Sequence, residues 1–169
     1  MPKSGLQKTW VRILLTAAAL ALMAVIFFFS TETAEKSDAT SGRIAQQVID
    51  TLHPDYETYP EIRKAEIYDA AQHAVRKAAH FFEYLALGVL LRLCLESWFG
   101  SRPGLSFAAW AAGSLYAGTD ELHQLITDGR SGQWSDVLLD SSGVLAGVLA
   151  ASFILWLVFR NTGRKETET

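Results

Sequence analysis

Apolar residues gather along this chain in four runs, near 11–29, 79–95, 105–125 and 137–159. Each run is roughly 17–24 residues long, enough for a helix to cross about 30 Å of hydrocarbon at about 1.5 Å per residue. The first, VRILLTAAALALMAVIFFF, is the cleanest, and the last is nearly clean after Asp140. The middle two carry polar groups and lower hydropathy. Polar side chains inside a bundle face neighbours or water, so this pattern is compatible with spanning. After Tyr84 the second run is too uniformly apolar for a surface helix. The pattern predicts an all-α fold: a four-helix transmembrane bundle in one domain over 1–169, with an external loop at 30–75. Lys3, Lys8 and Arg12 resemble the basic flank of a signal peptide. The apolar run exceeds the usual roughly 7–15 residues and no A-x-A site follows it, so an uncleaved first helix is expected.

The polar stretches between the runs carry their own signals. Residues 30–58 are rich in Ser, Thr, Asp and Glu. Within them Ile44, Val48, Ile49 and Leu52 recur at helical spacing. This predicts a short amphipathic helix that either lies on the membrane surface or covers the bundle. Pro54 and Pro60 punctuate the loop. A helix is expected to start after Pro60, with Glu61 near the positive end of its dipole. No breaker follows until Ser97, so the second span is expected to continue outward as one long helix with a polar outer part. Arg102-Pro103-Gly104 predicts one short turn, and Thr127 to Gly132 predicts another.

Basic residues set the orientation. With both termini cytoplasmic, Lys3, Lys8, Arg12, Arg92, Arg102, Arg160, Arg164 and Lys165 lie inside. Lys36, Arg43, Arg63, Lys64, Arg76, Lys77 and Arg130 lie outside. The inside segments are much shorter, so basic density is about twofold higher there, which favours this orientation. Arg76 and Lys77 argue against it, because they flank the second span on the outer side. Cys94 is the single cysteine. It forms no intrachain disulfide and is expected to act as a small buried apolar side chain.

Ionisable groups interrupt the spans at one predicted membrane face: His80/Glu83, Asp120/Glu121/His123, Asp128/Arg130 and Asp136/Asp140. A charge at a helix centre costs roughly 2.5–3.5 kcal/mol on insertion scales, less toward the ends. Residues three or four apart share a helix face, which places Lys77, His80 and Tyr84 in one row with Glu83 beside His80. Arg76 and Lys77, at the outer boundary just before His80, suit an anionic head group, or they snorkel to the interface. Tyr116, Asp120, His123 and Gln124 share a second face, with Glu121 offset from it. That cluster reads either as a site or as a wet helix terminus. Asp136 and Asp140 are at i, i+4, where like charges repel. Asp136 has a second reading as an N-cap or dipole partner. Gly143 and Gly147 suit close helix packing.

Taken together, these residues resemble the VanZ-like family of bacterial integral membrane proteins. The resemblance covers most of the chain. It rests on Phe29-Ser30, Arg76-Lys77-Ala78-Ala79-His80-Phe81, Glu83-Tyr84, Leu87-Gly88 and Tyr116. It continues through Asp120-Glu121-Leu122-His123-Gln124, Gly129-Arg130, Asp136-Val137 and Gly143. Asp128 departs from the pattern, which more often has Pro before Gly-Arg. The resemblance implies a protein of the bacterial cell (cytoplasmic) membrane. The name-giving member is linked to low-level resistance to the lipoglycopeptide teicoplanin.

Three functions compete. The first is a site for an anionic, lipid-linked envelope substrate. Arg76, Lys77 and Arg130 would hold phosphate, with Tyr84, Tyr116, Gln124 and Asp140 lining the site. His80, Glu83, Asp120, Glu121, His123 and Asp136 would supply acid/base groups or ligands for a divalent metal such as Mn, Fe or Zn. No tight two-ligand motif such as HExxH is present. The second is a non-catalytic envelope protein whose polar layer is a structural network or a recognition pocket for a lipoglycopeptide or a partner. The third, a proton or ion pathway, ranks last because the acids crowd one side and LSFAAWAAGSL carries no charge. Membrane lipids are expected partners, and nucleic acid is not.

Overall fold

The computed structural model describes the backbone of residues 5–31, 34–124 and 134–166, and the side chains of 6–31, 41–123 and 134–160. Helix dominates, and no strand occurs among the described residues. The described residues form five α-helices: α1 (Thr9–Ser30), α2 (Ala34–Leu52), α3 (Glu61–Phe99), α4 (Leu105–Gln124) and α5 (Trp134–Glu166). The first, third and fourth apolar runs lie in α1, α4 and α5, and the second is the inner part of α3. Among the described residues, three helices are long and apolar enough to cross a membrane: α1, α3 and the Trp134–Arg160 part of α5. The helix α4 is not among them. Its second half, from Tyr116 to Gln124, trades hydrocarbon for hydroxyls, carboxylates and imidazole.

The two helices expected within 30–75 are present, and α2 and the first part of α3 occupy most of it. Pro60, with φ −58°, sets the start of α3, and its carbonyl accepts the Lys64 N–H at 3.0 Å. From there α3 runs for 39 residues, about 60 Å and twice the thickness of the hydrocarbon layer. It ends where Gly100 takes φ +69°, a conformation that glycine adopts without a Cβ clash. The helix α2 packs on the polar first part of α3, burying Ser41, Ala45 and Ile49. Ile44 and Leu52 on α2 remain exposed.

Pairings along the helices fix their directions. Arg12 Nε donates to the Ser97 carbonyl at 2.8 Å, so α1 runs antiparallel to α3. The Tyr116 hydroxyl donates to the Met23 carbonyl at 2.6 Å and His123 lies against Phe27, so α1 and α4 run parallel. Lys77 meets Asp136 and Arg92 meets Ser152, so α3 and α5 also run parallel. The start of α1, the turn after α3 and the second half of α5 therefore share one end of the bundle, the arginine end. The end of α1, the end of α4 and the start of α5 share the other, the acid end.

The α3–α5 contact is the tightest in the bundle. A Cβ on Gly147 would strike the Leu85 carbonyl, and one on Gly88 would strike the Val144 carbonyl. Only hydrogen at these positions lets the two backbones touch, which is the expected role of small residues between membrane helices. Ile26, Tyr84, Leu87, Ala109, Ala117, Val144 and Val148 form the core beside this contact. The outward surface is apolar: Leu14, Leu20, Phe28, Leu149, Phe153 and Ile154 are all exposed. A water-soluble fold would bury such residues, and a membrane protein presents them to lipid. At the arginine end, Arg12 covers the Trp98 ring at 5.3 Å and Arg160 covers Trp156 at 5.2 Å. Trp and Arg together are the side chains expected at a bilayer interface.

Candidate functional site

The acid end collects side chains from three helices. On α3, His80 and Tyr84 are one turn apart and share a face. On α5, Asp136 and Asp140 have the same spacing. Because the two helices run parallel in contact, successive turns match: Lys77 faces Asp136, and the next turn inward brings His80 to Asp140. Then α4 adds Asp120. One donor atom from each of His80, Asp120 and Asp140 lies within 4.8 Å of the other two.

This cluster is buried. Asp120 and Asp140 are each 3% exposed, Glu121 is 6% exposed, Tyr84 is fully enclosed and His80 is half-buried. Asp140 Oδ1 and the Tyr84 hydroxyl are buried without a hydrogen-bond partner. The Tyr84 hydroxyl sits beside Asp120 yet outside hydrogen-bonding geometry. Asp120, Glu121, Asp136 and Glu83 all lie within electrostatic reach of Asp140, and Glu83 is half-buried within reach of Asp120. Bringing carboxylates together inside a bundle is unfavourable unless something compensates their charge.

The other residues singled out in the sequence fall around this chamber in distinct ways. Lys77 Nζ and Asp136 Oδ1 form an ion pair at 2.7 Å, one turn outward from His80, with each side chain about one-third exposed. Asp136 also sits in the first turn of α5, where its charge suits the helix dipole. The Tyr116 hydroxyl is engaged by the Met23 carbonyl, and its ring centroid is 6.3 Å from that of Tyr84. His123 is half-buried with its ring 4.8 Å from Phe27, so it faces α1. Arg76 is half-buried on α3. Asp128 and Arg130 lie outside the described residues, as does the side chain of Gln124.

A second polar cluster, at the arginine end, escaped the reading of the sequence. Arg92 and Glu96 are buried and paired, Nη1 to Oε2 at 2.9 Å. Arg92 Nε donates to Ser106 of α4 and Ser152 of α5, both at 3.2 Å, and these two hydroxyls meet at 3.0 Å. Ser101 donates to the other Glu96 oxygen at 2.6 Å. Arg92 is thus a buried cation paired with a carboxylate and bonded to two hydroxyls. The signal available was the opposite-charge i, i+4 spacing of Arg92 and Glu96 inside an apolar run.

The family model described as VanZ/LLP1 matches residues 15–157, which include every residue of the acid-end chamber. No curated protein and no solved structure matches the chain.

Proposed function

The chain belongs to the VanZ/LLP1 family, and from that premise we propose a multi-pass protein of the bacterial cell membrane that holds an anionic, lipid-linked envelope substrate in the acid-end chamber. In this reading α1, α3, α4 and α5 all cross the bilayer and both termini are cytoplasmic. The acid end then opens at the outer face, beneath α2. A role in glycopeptide resistance of the teicoplanin type belongs to the same proposal.

The convergence of His80, Asp120 and Asp140 from three helices carries the reading. Polar groups buried at a common level, at such energetic cost, are retained in membrane proteins chiefly for binding or chemistry. Lys77 and Arg76 border the chamber on the α3 side, where a phosphate linked to a lipid would enter. Two ties favour a second reading, a non-catalytic envelope protein with a structural or recognition network. They are the Lys77–Asp136 pair and the bond from Tyr116 to Met23.

The test is binding in nanodiscs. A long-chain polyprenyl phosphate should bind the parent protein more tightly than the neutral polyprenol, and Lys77→Gln should reduce that preference. Equal binding of the two lipids would discard the substrate proposal. Product formation from lipid-linked substrates separates an enzyme from the second reading. Impermeant thiol labelling of single-cysteine variants at Asp50 and Ser101, in a Cys94→Ala background, tests the orientation. Only the first should react from outside.

A further inference from the structure

We propose that His80, Asp120 and Asp140 form a binding site for one divalent transition-metal ion of the Mn2+ or Zn2+ class. Their donor atoms, one imidazole nitrogen and two carboxylate oxygens, already lie within 4.8 Å of one another. Ligand atoms around such an ion sit roughly 3–4 Å apart, given bonds of about 2.0–2.2 Å. Small rotamer adjustments close the remaining gap.

The burial of the cluster separates it from a chance group of surface acids. Asp120 and Asp140 are each 3% exposed, one carboxylate oxygen of Asp140 lies in the cluster, and its Oδ1 is buried with no hydrogen bond to satisfy it. A water could satisfy that oxygen, but it would neutralise no charge. A divalent cation does both, since two carboxylates and a neutral imidazole cancel its charge. The donor set also selects the metal. Imidazole disfavours Mg2+ and Ca2+, which prefer all-oxygen cages, and Cys94 lies at the opposite end of the bundle beside Thr16. Three protein ligands leave a coordination position open, as catalytic sites do.

The site also removes a conflict within the substrate proposal, on which it depends only for what fills the open position. Phosphate and a nest of carboxylates repel one another. A metal held by His80, Asp120 and Asp140 would turn the same acids into support for an anion. Tyr84, whose enclosed hydroxyl has no hydrogen-bond partner, stands where it could donate to such a ligand.

The experiment uses the full chain, purified in detergent, stripped with EDTA and titrated with Mn2+ or Zn2+ by calorimetry. The parent should bind one ion per chain. Loss of an outer-sphere partner weakens metal binding about 10–100-fold, so His80→Gln and Asp140→Asn should each weaken it by at least that much. Asp50→Asn, exposed on α2, should bind like the parent. If the chamber variants fail to fold, the parent still decides. Its melting temperature should rise with added Zn2+ or Mn2+ but not with equal Ca2+. A stripped parent that neither binds a stoichiometric ion nor gains thermal stability overturns the site, as do chamber variants with parental affinity. Polyprenyl phosphate binding is measured on the same samples. Lipid bound without metal ends the metal site and keeps the substrate reading, and metal bound without lipid does the reverse.

Discussion

At the arginine end, Arg92 and Glu96 are buried with each other and with three serine hydroxyls, opposite charges face one another, and neither residue has a buried side-chain atom without a partner. At the acid end, carboxylates from α4 and α5 are equally buried, yet Asp140 Oδ1 and the Tyr84 hydroxyl have no hydrogen-bond partner. Both ends belong to the same three helices, α3, α4 and α5. The difference lies in completeness. A buried polar group with all its partners in place serves the fold. One left with unused bonding capacity has been kept at a cost to stability, and function is the usual reason.

The largest expected effect comes from breaking the complete network. Glu96→Ala should destabilise the protein by about 3–5 kcal/mol, because Arg92 would be left as a buried, uncompensated cation. The Arg92→Met/Glu96→Leu double variant should recover most of that loss in thermal unfolding in detergent. A double variant as unstable as the single one would show that the pair does more than satisfy itself. Next, Gly147→Leu should cost about 1–3 kcal/mol or more, since the new side chain meets the Leu85 backbone. It should also reduce ligand binding by separating His80 from Asp140.

The acid end should respond with the opposite sign. In metal-free protein, Asp140→Asn should raise stability by about 1 kcal/mol, because it removes one of several neighbouring negative charges. With Zn2+ or Mn2+ present, the parent should gain stability and this variant should not, so their order reverses. A destabilised metal-free Asp140→Asn protein would place this end in the same class as the arginine end. The smallest effect is expected at Tyr116→Phe, about 0.5–1 kcal/mol, from loss of the bond to the Met23 carbonyl. Metal binding should survive that change.

Apolar run length and chain punctuation made the helices legible. The expected span at 105–125 is α4 within a residue, and the unbroken stretch after Pro60 is the single helix α3. Helix partners were less legible. Lys77 and Asp136 stand 59 residues apart, and nothing local in either segment announces that α3 and α5 run parallel in contact. The glycines at 143 and 147 signalled a close approach without naming the opposing helix. Helical spacing placed His80 with Tyr84 and Asp136 with Asp140, but only tertiary packing separates Asp140, inside the chamber, from Asp136, at its edge. Arg92 was counted as an interfacial charge, because orientation rules weigh basic residues by position and take no account of a buried partner.

Backbone-to-backbone contact at Gly88 and Gly147 seats α3 directly against α5. His80 and Asp140 ride on these two helices, while Asp120 rides on α4. Any change in the distance from Asp120 to the other two would need α4 to shift along α5, against the Ser106–Ser152 and Ser114–Ser141 hydrogen bonds.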